Sequence, residues 1–312
     1  MTPNMWPALP YADWRETGAS LQLRTQIVGK IRLAQMPWIN HSWHVTQYLT
    51  ARGLTTGPIP HEGRVFQIDF DFVDHCLRLQ CSDGQTRLMP LVEQTVADFY
   101  AQLMTLLREL GVPVRIAVLP NEVTDPIPFD EDRQHRAYEA AAVQRWWRAL
   151  LQVDRVFTVF RSGFLGKVSP SHFFWGSFDL AVTRFSGRSA PLHPGGVPAL
   201  PDAVVREAYS HEVSSAGFWP GGGDIDYAAF YSYAYPEPAE FSNARVLPSQ
   251  AFYHATLREF LLPYDAVRTA ASPDEALLSF LQSTYEAAAE QAKWDRSALE
   301  CAFGVARVPR RL

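Results

Sequence analysis

Between Arg64 and Val73 the chain alternates: Phe66, Ile68, Phe70 and Phe72 fall on one side of an extended backbone, and Gln67, Asp69 and Asp71 on the other. Strand side chains point to opposite faces in turn, so this period of two predicts a half-buried strand. Residues 76–81 also alternate, with Leu77 and Leu79 inward, which predicts an antiparallel hairpin through Val73–His75. From 92 to 110 the period changes. There Val96, Phe99, Leu103, Leu106, Leu107 and Leu110 recur at helical spacing until Gly111 and Pro113 stop the pattern. Further helices are expected from about Trp14 to Met36, ended by Pro37, and from about Gln134 to Val153. Another begins at Ser272-Pro273-Asp274-Glu275, which offers an N-cap, a proline at the first helical position and a capping-box Glu, and runs to about Lys293. Trp43–Arg52, Val114–Leu119, Phe173–Phe185, Tyr209–Trp219 and Asp226–Tyr235 read as strands. Proline-rich connectors at 58–63, 124–132 and 189–201 punctuate the chain.

Together these elements predict an α+β fold of mainly antiparallel sheets flanked by helices. Two halves, 1–125 and 126–312, each give a helix, a long strand, two further strands and a helix. Trp43 precedes Arg52 by nine residues, as Trp175 precedes Arg184, and Leu21-Gln22 and Leu151-Gln152 lie at similar distances upstream. The expectation is two related halves around a pseudo-twofold, packed as one continuous unit with a cleft near their junction.

Composition adds exclusions. With 312 residues, 47% of them hydrophobic, the chain is long enough to bury a core without disulfides or metal clips. The formal charge is -5, with no basic stripe, so nucleic acid is not an expected partner. The run Arg307, Arg310 and Arg311 reads as a solvated tail. Cys76, Cys81 and Cys301 match neither a disulfide framework nor a zinc site and are expected as reduced thiols. No signal-like start and no apolar run of membrane length is present, so a cytoplasmic location without membrane contact is expected.

Several blocks carry a family likeness: TQIVGKIRL at 25–33, NHSWHVTQYLTARGLTTGPIP at 40–60, FQIDFDFVDH at 66–75, HFFWGSFDLAVTRFSGR at 172–188, EAYSHEVSSAGFWPGGG at 207–223 and FLLPYDAVRTAASP at 260–273. They resemble an uncharacterised bacterial family, domain-of-unknown-function family 5996, over nearly the whole chain. The resemblance implies a single continuous unit and brings with it no activity, cofactor or catalytic residue.

Candidate chemistry rests on polar residues set among aromatic strands. On the first long strand His44, Thr46, Tyr48, Thr50 and Arg52 share a face, either a solvated edge or a grip on an anionic group. On the second, Asp179 and Arg184 fall on opposite faces, both in apolar surroundings where a charge must be paired, which suits a structural ion pair or a substrate-positioning or acid–base role. His172 and His211, with Asp179 or Glu212, are competent for acid–base chemistry or for a two-His, one-carboxylate metal site. Tyr231 belongs to a row of phenols, Tyr227, Tyr231, Tyr233 and Tyr235, that would pack under a helix, stack a planar ligand or cage a cation. Asp69 and Asp71 fit a surface ion pair with Arg78. GGGD at 221–224 is a turn, because neither a P-loop nor GxGxxG is present, and GxSxG and HExxH are missing too.

The expectation is therefore a small-molecule enzyme with its pocket against the C-terminal sheet. Arg184 would anchor an anionic or aromatic ligand, His172 or His211 would move protons, Asp179 would orient the histidine and Trp175 would pack on the ligand. Glu212 would share the catalytic work, with Tyr231, His44 and Arg52 as further ligand contacts. A non-catalytic binding or interaction module and a mononuclear metal enzyme are the alternatives. No cofactor or metal ligand is assigned.

Overall fold

A computed structural model describes residues 5–197 and 199–310, so Arg311 of the basic run lies outside the described residues. The N-terminal half opens with a long helix, α1 (Arg15–Gln35), followed by β1 (Tyr48–Thr50), β2 (Gly53–Thr55), β3 (Ile59–His61), β4 (Arg64–Asp71), β5 (Cys76–Cys81), β6 (Thr86–Pro90) and α2 (Val96–Glu109). The C-terminal half repeats the opening with α3 (Ala140–Ser162), then β7 (His172–Phe174), β8 (Asp179–Ser189), α4 (Asp202–Ala208), β9 (His211–Trp219), β10 (Ala229–Tyr235), β11 (Phe252–His254) and β12 (Glu259–Pro263), and closes with α5 (Tyr264–Arg268), α6 (Pro273–Gln291) and α7 (Arg296–Leu299). This is an α+β fold. Its first sheet runs β1-β2-β4-β5-β6 with β3 also on β4, its second β11-β12-β10-β9-β8-β7, and every described strand pair is antiparallel. No helix among the described residues is long and apolar enough to cross a membrane.

The two sheets meet edge to edge. Gln47 donates its N–H to the Phe173 carbonyl and Phe173 returns the bond, both at 2.9 Å. Buried residues of both halves form one continuous core. Phe66, Ile68, Phe70 and Phe72 are each no more than 1% exposed, and the expected hairpin pairs Asp71 with Cys76 and Phe70 with Leu77. Helix α1 ends where Met36, just before Pro37, turns extended at φ −87°, ψ 141°. Pro273 does open α6, but Ser272 makes no side-chain cap bond.

Four local expectations change, each for a tertiary reason. Val114–Leu119 forms no strand, because α1 captures its surroundings: Lys30 Nζ donates to the Leu119 carbonyl at 2.8 Å, and the Gln26 side-chain amide brackets the Asn121 peptide at 2.7 and 2.8 Å. Trp43–Arg52 is not one strand. His41 and Ser42 take left-handed backbone (φ 59° and 57°), the carbonyls of Val45 and Thr46 are taken by Trp175 Nε1 and Arg32, and pairing starts only near Gln47. Likewise 173–185 folds into the hairpin β7–β8, with Phe178 left-handed in its turn. Trp43 and Trp175, and Arg52 and Arg184, therefore occupy different places in their halves. Finally, α3 begins at Ala140 because residues 132–136 serve α2: Val96 N–H donates to the His135 carbonyl and Ala97 N–H to that of Asp132.

Candidate functional site

Parity across the second sheet decides what shares its open face. Register rows align His172, Ala181, Gly217, Tyr231 and Leu261, so Asp179, Tyr233 and Glu259, two residues from a row member, project to the same side. The opposite side carries Leu180, Val182, Phe218, Phe230 and Leu262 into the core beneath α6. Over the open side lies a cavity of about 990 Å³, closed at one end by the start of α1 and rimmed by the turn Gly221-Gly222-Gly223. Gly221, at φ 95°, needs its missing side chain, since a Cβ would stand 2.8 Å from the Tyr227 carbonyl.

Asp179 opens β8 and is 4% exposed. Ser177 and Tyr231 both donate their hydroxyls to its carboxylate. Tyr231 reaches it from β10 by lying across β9, which is possible because residue 217 is glycine: a Cβ there would stand 2.3 Å from the Tyr231 hydroxyl. Tyr209 donates to the Tyr233 hydroxyl at 3.0 Å, and the Tyr231 and Tyr233 rings stack at 6.1 Å. An aromatic column supports the floor, Trp146 lying 5.5 Å from Trp14 and 5.0 Å from Phe178, both of which line the cavity.

Two further carboxylates enter from elsewhere. Glu259 begins β12, and Glu122 follows the Asn121 peptide held by α1, its backbone left-handed at φ 55° and its carboxyl turned against Gly176. Burial, reinforced by the charge of Asp179, raises Glu122 and Glu259 each to about 7. Burial raises Asp179 to about 6, against the opposing pull of the Ser177 and Tyr231 hydrogen bonds. Burial also lifts Tyr231 and Tyr209 well above the usual phenol range. Asp224 adds another carboxylate at the rim, with Arg15 and His254 as the basic side chains on the lining. The site is thus strongly acidic, aromatic-walled and able to exchange protons near neutrality.

Of the residues expected from sequence, the structure brings together Asp179 and Tyr231 and separates the rest. Arg184 is on the opposite face from Asp179 and does not pair with it. Its guanidinium is 3.5 Å from the Phe160 ring centroid and donates to the Phe160 carbonyl at 2.5 Å. Trp175 packs on Gly29 of α1 and donates to Val45 at 2.8 Å. His172 and His44 are buried at the seam between the sheets. His211 lies 6.0 Å from the His41 ring, whereas Glu212 pairs with Arg188 at 2.6 Å. Asp71 pairs with Arg52 at 2.6 Å and with the expected Arg78 at 3.8 Å, while Asp69 accepts from Gln67. Among the described residues, no three His, Cys, Asp or Glu side chains form a group that could hold a metal ion. Glu122, Glu259 and Tyr209 were not foreseen. Only Glu259 had a usable signal, its parity with Leu261.

Fold and site define an α+β protein with two edge-joined antiparallel sheets and an acidic cavity on the second. The chain belongs to a family of unknown function, DUF5996, whose model matches residues 6–301. Nothing among the curated proteins or the solved structures matches it.

Proposed function

We propose that the cavity binds a small organic molecule carrying a protonated amine, with Asp179, Glu122 and Glu259 as its cation site and Asp179 as the group that exchanges a proton with it. The observation that carries this reading is three carboxylates lining one aromatic cavity, where burial disfavours the ionised form of each and the charge of Asp179 further disfavours it at Glu122 and Glu259. A bound cation relieves both penalties. Tyr231, Tyr233 and Trp219 add ring faces suited to an ammonium or its aromatic substituent, and the volume is at the upper end for a small-ligand pocket. A carboxylate near pH 6 is matched to general-base work on an amine, which supports an enzymatic role for the same site. Arg184 takes no part, so the ligand is a cation at the tyrosine face and not an anion held by Arg184.

Calorimetry and thermal unfolding with benzylamine, 1,4-diaminobutane and tetramethylammonium, against benzyl alcohol and benzoate, test the proposal. Amines should raise Tm, release protons on binding and bind more tightly as pH rises from 6 to 8. Stabilisation by benzoate without stabilisation by any amine would rule the reading out.

A further inference from the structure

We propose that Lys167 is a reactive amine that condenses with a small aldehyde to form an imine, with His41 as its general base. The first observation is compositional. Of the 28 Lys and Arg residues in the chain only three are lysines: Lys30, Lys167 and Lys293. Arginine keeps its proton at any working pH, whereas a lysine can release it and attack a carbonyl. Lys30 is buried, with its Nζ bound to the Leu119 carbonyl, and Lys293 is exposed in the turn after α6. Among the described residues only Lys167 meets an imidazole, its Nζ standing 2.6 Å from His41 Nε2. The other ring nitrogen fixes the direction of that bond. His41 Nδ1 lies 2.9 Å from the Ala208 carbonyl, which can only accept, so Nδ1 carries the proton of the neutral ring and Nε2 turns its lone pair to Lys167.

Both partners are held in place. His41 is 6% exposed, and its backbone and that of Ser42 are left-handed, at φ 59° and 57°, a conformation that costs energy outside glycine. Glu207 of α4 secures this turn by accepting from the His41 N–H at 2.8 and 2.9 Å and from the Trp38 indole at 3.4 Å. The Lys167 carbonyl accepts from the Phe185 N–H of β8 at 3.0 Å, and its Nζ lies 4.4 Å from the Phe185 ring centroid and 5.1 Å from that of Trp43. The side chain is nonetheless exposed, so a reactant in solution reaches it. Partial burial against these rings lowers the Lys167 amine from its ordinary value, opposed by the charge of Glu207, and His211 is the further titratable group, 6.0 Å from the His41 ring. Nζ would attack the aldehyde carbon, forming a C–N bond as the C=O π pair moves to oxygen. Both Nζ protons then leave with that oxygen as water, passed through His41 Nε2, and the C=N bond closes without any oxidant or further reactant. The Trp43 and Phe185 rings favour an apolar or aromatic aldehyde and would steady the protonated imine.

Labelling the full chain with benzaldehyde and cyanoborohydride in phosphate buffer, with each lysine followed by peptide mass mapping, tests the proposal. Lys167 should be benzylated at least about tenfold faster than Lys293, the exposed lysine without an imidazole, and His41→Gln should bring it down to the Lys293 rate. Equal rates in the wild type, or a Lys167 rate unchanged in folded His41→Gln, overturn the proposal. If His41→Gln does not fold, the pH profile of the wild type decides. The Lys167 rate should level off at a lower pH than the Lys293 rate, and parallel profiles overturn the assignment. Lys167 is not among the residues lining the acidic cavity, so none of these outcomes depends on amine binding there.

Discussion

The cavity and the seam lie on the same face of the second sheet, His172 and Tyr231 standing in one cross-strand row, yet they bury charge of opposite sign. In the cavity, carboxylates are pushed upward until they titrate near neutrality. At the seam, burial first, and then the charges of Arg32 and Arg161, lower His172 to about 3 and keep it neutral. Desolvation favours the uncharged form in both regions, and the sign of the suppressed charge sets the direction of each shift. The cavity is open to exchange with solvent, whereas the seam is closed beneath Trp43 and Tyr48.

Removing the central charge of the cavity should have the largest effect. Asp179→Asn keeps the shape and is expected to weaken amine binding by about 100-fold by calorimetry, the scale of losing one partner of a buried charge pair. Undiminished affinity would move the cation site away from Asp179 and erase the contrast. Gly217→Ala should come next: the new methyl displaces the Tyr231 ring from above β9, Asp179 loses a hydrogen bond, and affinity falls by roughly tenfold while the fold persists.

The pH dependence of stability separates the regions by sign. Asp179, Glu122 and Glu259 bind protons more tightly folded than unfolded, so their contribution falls as pH rises from about 4 towards 7. His172 binds its proton more weakly folded, so its contribution is present above its ordinary value of 6.5 and is lost as pH falls below it towards 3. Relative to wild type, Asp179→Asn should therefore gain Tm between pH 5 and 7.5, and His172→Phe should gain it as pH is lowered from 7 to 5. Parallel curves for all three proteins would contradict the assignment. The smallest effect is expected at Arg52→Ala. Asp71 keeps the Val73 and Asp74 N–H groups at 3.0 and 2.9 Å, so denaturant unfolding should show only a small loss of stability, with amine affinity unchanged.

Much of the fold was legible because period reports burial wherever one face meets the core. The alternation of β4, the helical spacing of α2 and the proline that opens α6 all needed only neighbours in sequence. The site was legible only in part. Asp179 and Tyr231 stood out as polar groups interrupting aromatic strands, but so did Arg184, His172 and Trp175, and no local pattern distinguishes a cavity lining from a seam or a core. Glu122 lies in a connector with no period at all, and its position follows from Gln26 gripping the peptide of its neighbour Asn121, 95 residues further along the chain.

Hydrophobic order along the chain was therefore enough for most of the helices, the β4–β5 hairpin, the antiparallel class and the family likeness. Tertiary structure alone decided which charges meet. Register placed Asp179 and Tyr231 in reach across Gly217, α1 held the Val114–Leu119 segment out of the sheet, and edge-to-edge pairing at Gln47 and Phe173 closed the seam around Arg32. Charge interactions depend on distance and on the water excluded between groups, and neither is a property of sequence separation.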